Sequence, residues 1–462
     1  MKFIGRTQQI KSLSSMIDSD SQTFTLIFGR RRVGKSELIK HCLKNVPIKS
    51  IYYECKQTSE KSNTESLSSI VSESLGLPKL GFDGMEELLI FLFKQAEKQK
   101  LILVFDEYPY LRETVKGLDS IFQSLLDSHK GSSRMKLILC GSYVDTMKGL
   151  LEERNPLYGR TDLTIDLKQM DYYESSLFYP AFPNEDKVRL YSVFGGIPYY
   201  NTLIDSNKTV RQNIIDLIAS PNARLENEVP MYLKSEISKM YNANEVFSAL
   251  AKGFSRFSDI LSQSHVTSSP TLADVLEKLI KMEVVKKRVP INDEQNKKKA
   301  SYHICDNLSM FYYKYIFSHS SQMSIMAPEA FFDRFIQKDF DENHVPKMFE
   351  TICEQYLIRR NKSGNTEEPF FKIGKYYYDN PKEHTNGEFD IVTEDDNGYI
   401  FYEAKFHNEP IEESTIRKEI LQVQKTGLTC YKYGFFSRTG FHTIQKGQKN
   451  DLILISLDDM FG

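Results

Sequence analysis

A chain of 462 residues exceeds what one hydrophobic core serves, so roughly two to four domains are expected. Its 40% hydrophobic and 26% charged residues are those of a soluble globular protein. The formal charge of −2 excludes a whole-chain electrostatic case for nucleic acid, so any such surface must be a local patch. The six cysteines, Cys42, Cys55, Cys140, Cys305, Cys353 and Cys430, form no CxxC pair. That excludes a zinc ribbon or a disulfide framework and predicts reduced thiols in a cytosol. With no signal-peptide core and no apolar run of membrane-spanning length, the expected location is cytoplasmic and no membrane partner is expected.

The first informative stretch is FTLIFGRRRVGKSELIKHCL, an apolar strand at Phe24–Phe28, a loop, and helical periodicity from Lys35. The loop fits G-x-x-x-x-G-K-S and comprises Gly29, Arg30, Arg31, Arg32, Val33, Gly34, Lys35 and Ser36. Backbone amides freed by the two glycines would wrap the phosphates of ATP. Lys35 would reach the outer phosphates, Ser36 would ligate Mg²⁺, and the helix N-terminus would add its dipole. A second apolar strand, LILVFDEY, ends in Asp106 and Glu107. Asp106 is the expected metal-side partner, and Glu107 the base that polarises the attacking water. SIYYEC and MKLILCGS are further buried-looking strands, and their alternation with helices predicts a parallel sheet covered on both faces. Ser142, just past the latter strand, reads either as a γ-phosphate sensor or as a helix N-cap.

From about Asn244 the helical patterns NEVFSALAKG, RFSDILSQ and SPTLADVLEKLIKM precede two strands in EVVKKRVPINDEQNKKKASYHICD. Three helices and a hairpin predict a winged helix. The hairpin carries Lys286, Lys287, Arg288, Lys297, Lys298 and Lys299, a cluster suited to DNA phosphates. The third helix offers Lys278 and Lys281 but no Arg or Asn cluster for reading bases. The aromatic stretches NLSMFYYKYIF and EAFFDRFI read as core helices, with SHSSQMS between them as a flexible joint.

The last segment opens with an amphipathic helix, VPKMFETICEQYLIRRN. Strands follow at PFFKIGKYYYD, EFDIVT and GYIFYEAKF, then a helix at IRKEILQVQKT and strands KYGFFS and LILISL. Asn397-Gly398 between alternating runs predicts a tight hairpin, which makes Asp395 and Asp396 turn residues. Side chains two apart on a strand share a face, so Glu403 and Lys405 project together and Asp390 meets Glu403 across the hairpin. Two carboxylates suit a hard ion, Mg²⁺ or Mn²⁺, and the lysine suits a metal-bound water attacking phosphorus.

Two resemblances follow from these motifs. FIGRTQQIKSL, GRRRVGKS, LVFDEY, NPLYGRTD and FGGIPYY, in that order, resemble the archaeal-type ATPase family, a branch of the AAA+/STAND P-loop NTPases. The family's opening G-R-E-x-E matches at Gly5 and Arg6 and departs at Thr7 and Gln9. The resemblance implies that Arg160 faces the γ-phosphate, in cis or from a neighbour in a homo-oligomer, and that Gly196-Ile197-Pro198 packs near the base. The closing segment resembles the PD-(D/E)xK restriction-endonuclease-like superfamily. That resemblance implies a further metal-site acid on the opening helix, matched by Glu350, while Phe389 stands where the superfamily places proline.

The expected fold class is therefore α/β: a P-loop parallel sheet, a helical and winged-helix domain, and a small α/β endonuclease-like domain. The expected divisions are 1–205 (ATPase), 206–240 (helical lid or connector), 241–320 (winged helix), 321–344 (linker helices) and 345–462 (nuclease-like). The expected activity is ATP hydrolysis with catalytic Glu107 and Arg160, coupled to DNA processing with Lys405 catalytic and Glu350, Asp390 and Glu403 as metal ligands. The alternative is a regulatory DNA- or protein-binding ATPase whose nuclease-like domain is inactive.

Overall fold

The computed structural model describes residues 3–237, 240–380, 385–442 and 451–462. The chain forms two compact units, one running to Gln169 with Ile197–Tyr199, the other comprising Met170–Gly196 and Tyr200–Gly462.

The first unit is built on five strands: β1 (Thr23–Phe28), β2 (Lys49–Glu54), β3 (Leu101–Asp106), β4 (Met135–Gly141) and β5 (Leu163–Asp166). They lie in the order β2-β3-β4-β1-β5, all parallel. Every residue of β1, β3 and β4 is buried, because helices cover both faces and leave no wet side on which polar residues could alternate. Parallel strands end at one edge, so the loops after β1, β3 and β4 come together there. That edge carries the P-loop.

In the second unit the helices Met240–Ala251, Phe257–Gln263 and Ser269–Lys281 precede an antiparallel pair, β6 (Val285–Arg288) and β7 (Ser301–Ile304). Ser268 caps the third helix by accepting from the Thr271 amide. The segment read as a flexible joint is helical instead: a 3₁₀ turn at Phe317–His319 leads into a helix at Ser320–Ile325. Local serines understated the aromatic anchors on either side, since Tyr313 and Tyr315 are buried and Tyr313 stacks on Phe247 at 4.6 Å.

The helix Val345–Lys362 then leads into a second sheet of β8 (Lys372–Asn380), β9 (Thr385–Asp395), β10 (Gly398–Lys405), β11 (Cys430–Ser437) and β12 (Leu452–Ser456), with the helix Glu413–Lys425 before β11. The order is β12-β11-β10-β9-β8; β8, β9 and β10 are antiparallel, and β10, β11 and β12 are parallel. The two-residue turn is Asp396-Asn397, one step before the expected Asn397-Gly398; Asp395 closes β9 opposite Gly398 and its Oδ1 accepts from the Asn397 amide at 2.7 Å. Among the described residues no helix is long and apolar enough to cross a membrane.

Candidate functional site

The nucleotide loop leaves β1 at Phe28 and enters the helix Lys35–Leu43. Gly29 must be glycine, because a Cβ there would lie 2.3 Å from the Leu167 carbonyl oxygen. Gly34 holds φ at 92°, which turns successive amides toward the helix axis where phosphate binds. Lys35 is buried, and its ammonium donates to the carbonyls of Gly29 at 2.8 Å and Arg30 at 3.1 Å and to Ser142 Oγ at 2.8 Å. Burial lowers its pKa, an effect that Cys140, Glu107 and Asp106 oppose. Arg30 is buried, Arg31 donates to the hydroxyls of Tyr110 and Tyr143, and Arg32 lies 4.3 Å over the Tyr199 ring. Val33 is buried, and its carbonyl accepts from Arg6, which also donates to the Lys168 carbonyl. Pro198 lies against the loop, its Cγ 3.9 Å from where a Cβ on Gly34 would stand.

Ser36 donates to Asp106 Oδ2 at 2.6 Å, and the Glu107 amide donates to Asp106 Oδ1 at 3.1 Å. Tyr52 also donates to Asp106 Oδ2. A hydroxyl and an oriented carboxylate are hard oxygen donors, so Ser36 and Asp106 fit Mg²⁺. Glu107 sits at φ 54°, a conformation costly for a non-glycine residue and found at functional sites. Its carboxylate accepts from the Ser142 hydroxyl at 2.6 Å and the Ser142 amide at 3.1 Å. Ser142 is therefore no N-cap; Tyr143 holds the cap position of the next helix.

Tyr52 was missed in the sequence. The signal lay in strand register: Tyr52 pairs with Val104 and Glu54 with Asp106, so Tyr52 shares a face with Asp106 one diagonal step away.

Arg160 requires a correction. Its guanidinium forms a two-pronged pair with Asp127, at 2.9 and 2.8 Å, and also donates to the Pro156 and Tyr158 carbonyls. Asp162, two residues on, accepts from the amide of Phe24 near the start of β1. Arg160 thus sits where the strands begin, roughly 20 Å of strand away from the P-loop edge. A cis contact with the γ-phosphate is not made, and Asp127 supplies the physical reason.

In the C-terminal sheet, the pairing Tyr402–Ile391 sets Glu403 and Asp390 at the next step along β10 and β9. Lys405 Nζ lies 2.7 Å from Glu403 and 3.0 Å from Glu419. Lys347 Nζ contacts Glu350 and both Asp390 oxygens, the latter at 3.4 Å. Lys375 Nζ, from β8, reaches Asp390 Oδ1 at 2.9 Å and also pairs with Glu388. Burial raises Asp390, but Lys347 and Lys375 outweigh it and hold the group below the ordinary range. Burial, then the charge of Asp390, pushes Glu350 up to about 7. Burial also raises Glu403, against the pull of Lys405.

The structure brings Glu350, Asp390, Glu403 and Lys405 to one region, as expected, but not as a ligand set. Among the described residues no three His, Cys, Asp or Glu side chains converge to hold a metal. Each expected ligand is instead tied to an ammonium, because a half-buried carboxylate takes the nearest cation as its partner. The residues as they stand do not fit a divalent ion.

The hairpin lysines divide. The loop between β6 and β7 docks on the free edge of β8: the Ile291 amide donates to the Lys375 carbonyl at 2.8 Å. The Asn292 side chain brackets Tyr377, donating to its carbonyl and accepting from its amide. Lys299 pairs with Asp293 at 2.8 Å and lies 3.9 Å over Tyr377. Arg288 pairs with Glu354 at 2.6 Å, and burial lowers the pKa of Lys286. Lys287 and Lys298 are exposed, while the side chain of Lys297 lies outside the described residues. Lys278 and Lys281 pair with Asp274 and Glu277 of their own helix.

Residues 3–203 match the family model described as an ATPase domain predominantly from Archaea. Residues 312–419 match a second, described as archaeal and bacterial proteins of unknown function. An uncharacterized protein of Methanocaldococcus jannaschii is 27% identical over 464 residues, 99% of each chain. An uncharacterized ATP-binding protein of the same organism is 21% identical over 294 residues, 52% of this chain and 76% of its own. A solved Walker-type ATPase of Pyrococcus abyssi has a TM-score of 0.51 and 20% identity, covering 67% of this chain and 96% of that one. At that identity the likeness concerns the fold alone. The P-loop edge, with its lysine and its Asp-Glu pair, lies within the residues that match the model of an ATPase domain predominantly from Archaea.

Proposed function

We propose that this chain hydrolyses ATP at the P-loop edge and uses the cycle to control nucleic-acid binding by its second unit. One observation carries the first half: Ser142 joins Lys35 to Glu107, beside an Asp106 already oriented by Ser36 and Tyr52. The loop amides and Lys35 would hold the phosphates, and Glu107 would polarise the attacking water. Mg²⁺ on Ser36 and Asp106 would supply charge stabilisation at the outer phosphates. A γ-phosphate reaching Lys35 would draw the Ser142 hydroxyl to itself and release Glu107 for the water. Pro198 and Arg32 would border the nucleotide.

For the second unit, three helices and a hairpin have the order of a winged helix, and Lys287 and Lys298 are exposed cations for phosphate contact. The order of helix, three antiparallel strands, helix and two parallel strands is that of a PD-(D/E)xK-like domain. The lysines on Asp390 and Glu350 favour a domain that grips nucleic acid over one that cuts it with Mn²⁺ or Mg²⁺. The test pairs ATP turnover with plasmid nicking and salt-dependent DNA binding. Turnover with binding and no nicking supports the reading. Wild-type turnover in Glu107→Gln overturns the ATPase site, and metal-dependent nicking lost in Lys405→Ala overturns the gripping role.

A further inference from the structure

We propose that Lys347 is a built-in counter-cation that keeps a divalent metal off the Glu350–Asp390 pair. The inference rests on Asp390 as the centre of the C-terminal domain, and it concerns hard cations such as Mn²⁺.

Lys347 is the third residue of the helix Val345–Lys362. Its ammonium is a full positive charge that draws local anions. Glu350, one turn along the same face, and Asp390 from β9 provide them. Asp390 meets two ammonium groups, Lys347 and Lys375, and their summed charge equals that of one divalent ion. A dication on these carboxylates would stand beside Lys347 and be repelled by it.

The two lysines differ in how freely they leave. The Lys375 side chain is 9% exposed and is also bound to Glu388, whereas the Lys347 side chain is 56% exposed. Lys347 is therefore the displaceable one. A long flexible side chain can swing into water, where its charge is well solvated, without disturbing the sheet.

The experiment titrates Mn²⁺ alone into the full, nucleotide-free chain by calorimetry, with the paramagnetic resonance of Mn²⁺ as a second readout. The variants are wild type, Lys347→Met, Lys347→Gln and Lys347→Met with Asp390→Asn. A Lys347 variant binding one Mn²⁺ about tenfold or more tighter than wild type, with the gain erased by Asp390→Asn, supports the proposal. Equal affinity in both Lys347 variants and wild type overturns it. Tight, Asp390-dependent binding by the wild type overturns the exclusion while leaving Asp390 as the centre of the domain. A gain that survives Asp390→Asn overturns the proposal and Asp390 as the centre together. Using both Met and Gln guards against one variant failing to fold.

Discussion

Ser142 presents its hydroxyl to Glu107 at 2.6 Å and accepts from Lys35 at 2.8 Å. The residue past β4 thus links Lys35 to Glu107, and under the proposed mechanism nucleotide binding and release of the base would be one event. Glu107→Gln should keep nucleotide affinity and lose turnover by on the order of 100-fold or more. Ser142→Ala should lower kcat roughly tenfold with the nucleotide Kd nearly unchanged. Lys35→Ala should lose nucleotide binding itself. Fluorescent-nucleotide titration alongside phosphate release separates the three; a Ser142→Ala enzyme with wild-type kcat would leave the link without consequence.

Tyr52 donates to the same Asp106 oxygen as Ser36. Removing one of its three donors, with Ser36 and the Glu107 amide left, would loosen the carboxylate proposed to hold Mg²⁺. Tyr52→Phe should raise the Mg²⁺ concentration for half-maximal nucleotide binding by about tenfold, leaving the fold unchanged. An identical Mg²⁺ titration in the variant would reduce Tyr52 to a packing residue.

The β6–β7 loop is held to β8 by Ile291 and Asn292, so its basic residues are not equivalent. Replacing Lys287 and Lys298 with Ala should weaken DNA binding across sequences and lower the log–log salt slope by roughly two. Lys299→Ala should scarcely change that slope, since its charge is paired with Asp293. Equal effects from all three would mean that the loop leaves β8 on binding DNA.

Acid should draw stability from the second unit through its buried histidines, while Glu350, raised to about 7, contributes in the opposite sense. Burial holds His344 down to about 4 and His303 down to about 3, against an ordinary value of 6.5. Between pH 6.5 and those values the unfolded chain binds the protons and the folded chain does not. Stability is therefore full above 6.5 and falls with pH, by up to roughly 3 kcal/mol for His344. Its ring donates to the Ser192 carbonyl at 3.0 Å, so His344→Gln keeps a donor without titrating. Urea unfolding at pH 7 and pH 4.5 should show a smaller difference in that variant; an equal difference would exclude His344 as a cause.

The sequence by itself determined the parts whose chemistry is local. G-x-x-x-x-G-K-S needs only a strand before it and a helix after it, and Asp106-Glu107 only a strand end. Alternation alone placed Glu403 and Lys405 on one face, and the turn signal at Asn397-Gly398 marked the hairpin that brings Asp390 to them, its loop falling one residue earlier at Asp396-Asn397. Tertiary structure decided every point at which a side chain chose between partners far apart in sequence. Arg160 is written like a γ-phosphate contact, yet Asp127 lies nearer across the fold and takes it. Glu350 and Asp390 are written like metal ligands, yet Lys347 and Lys375 reach them first. The basic hairpin is written like a free wing, yet the open edge of β8 offers unpaired backbone groups that Ile291 and Asn292 satisfy. A charge or an unpaired amide takes the nearest partner in space, and sequence order does not measure that distance.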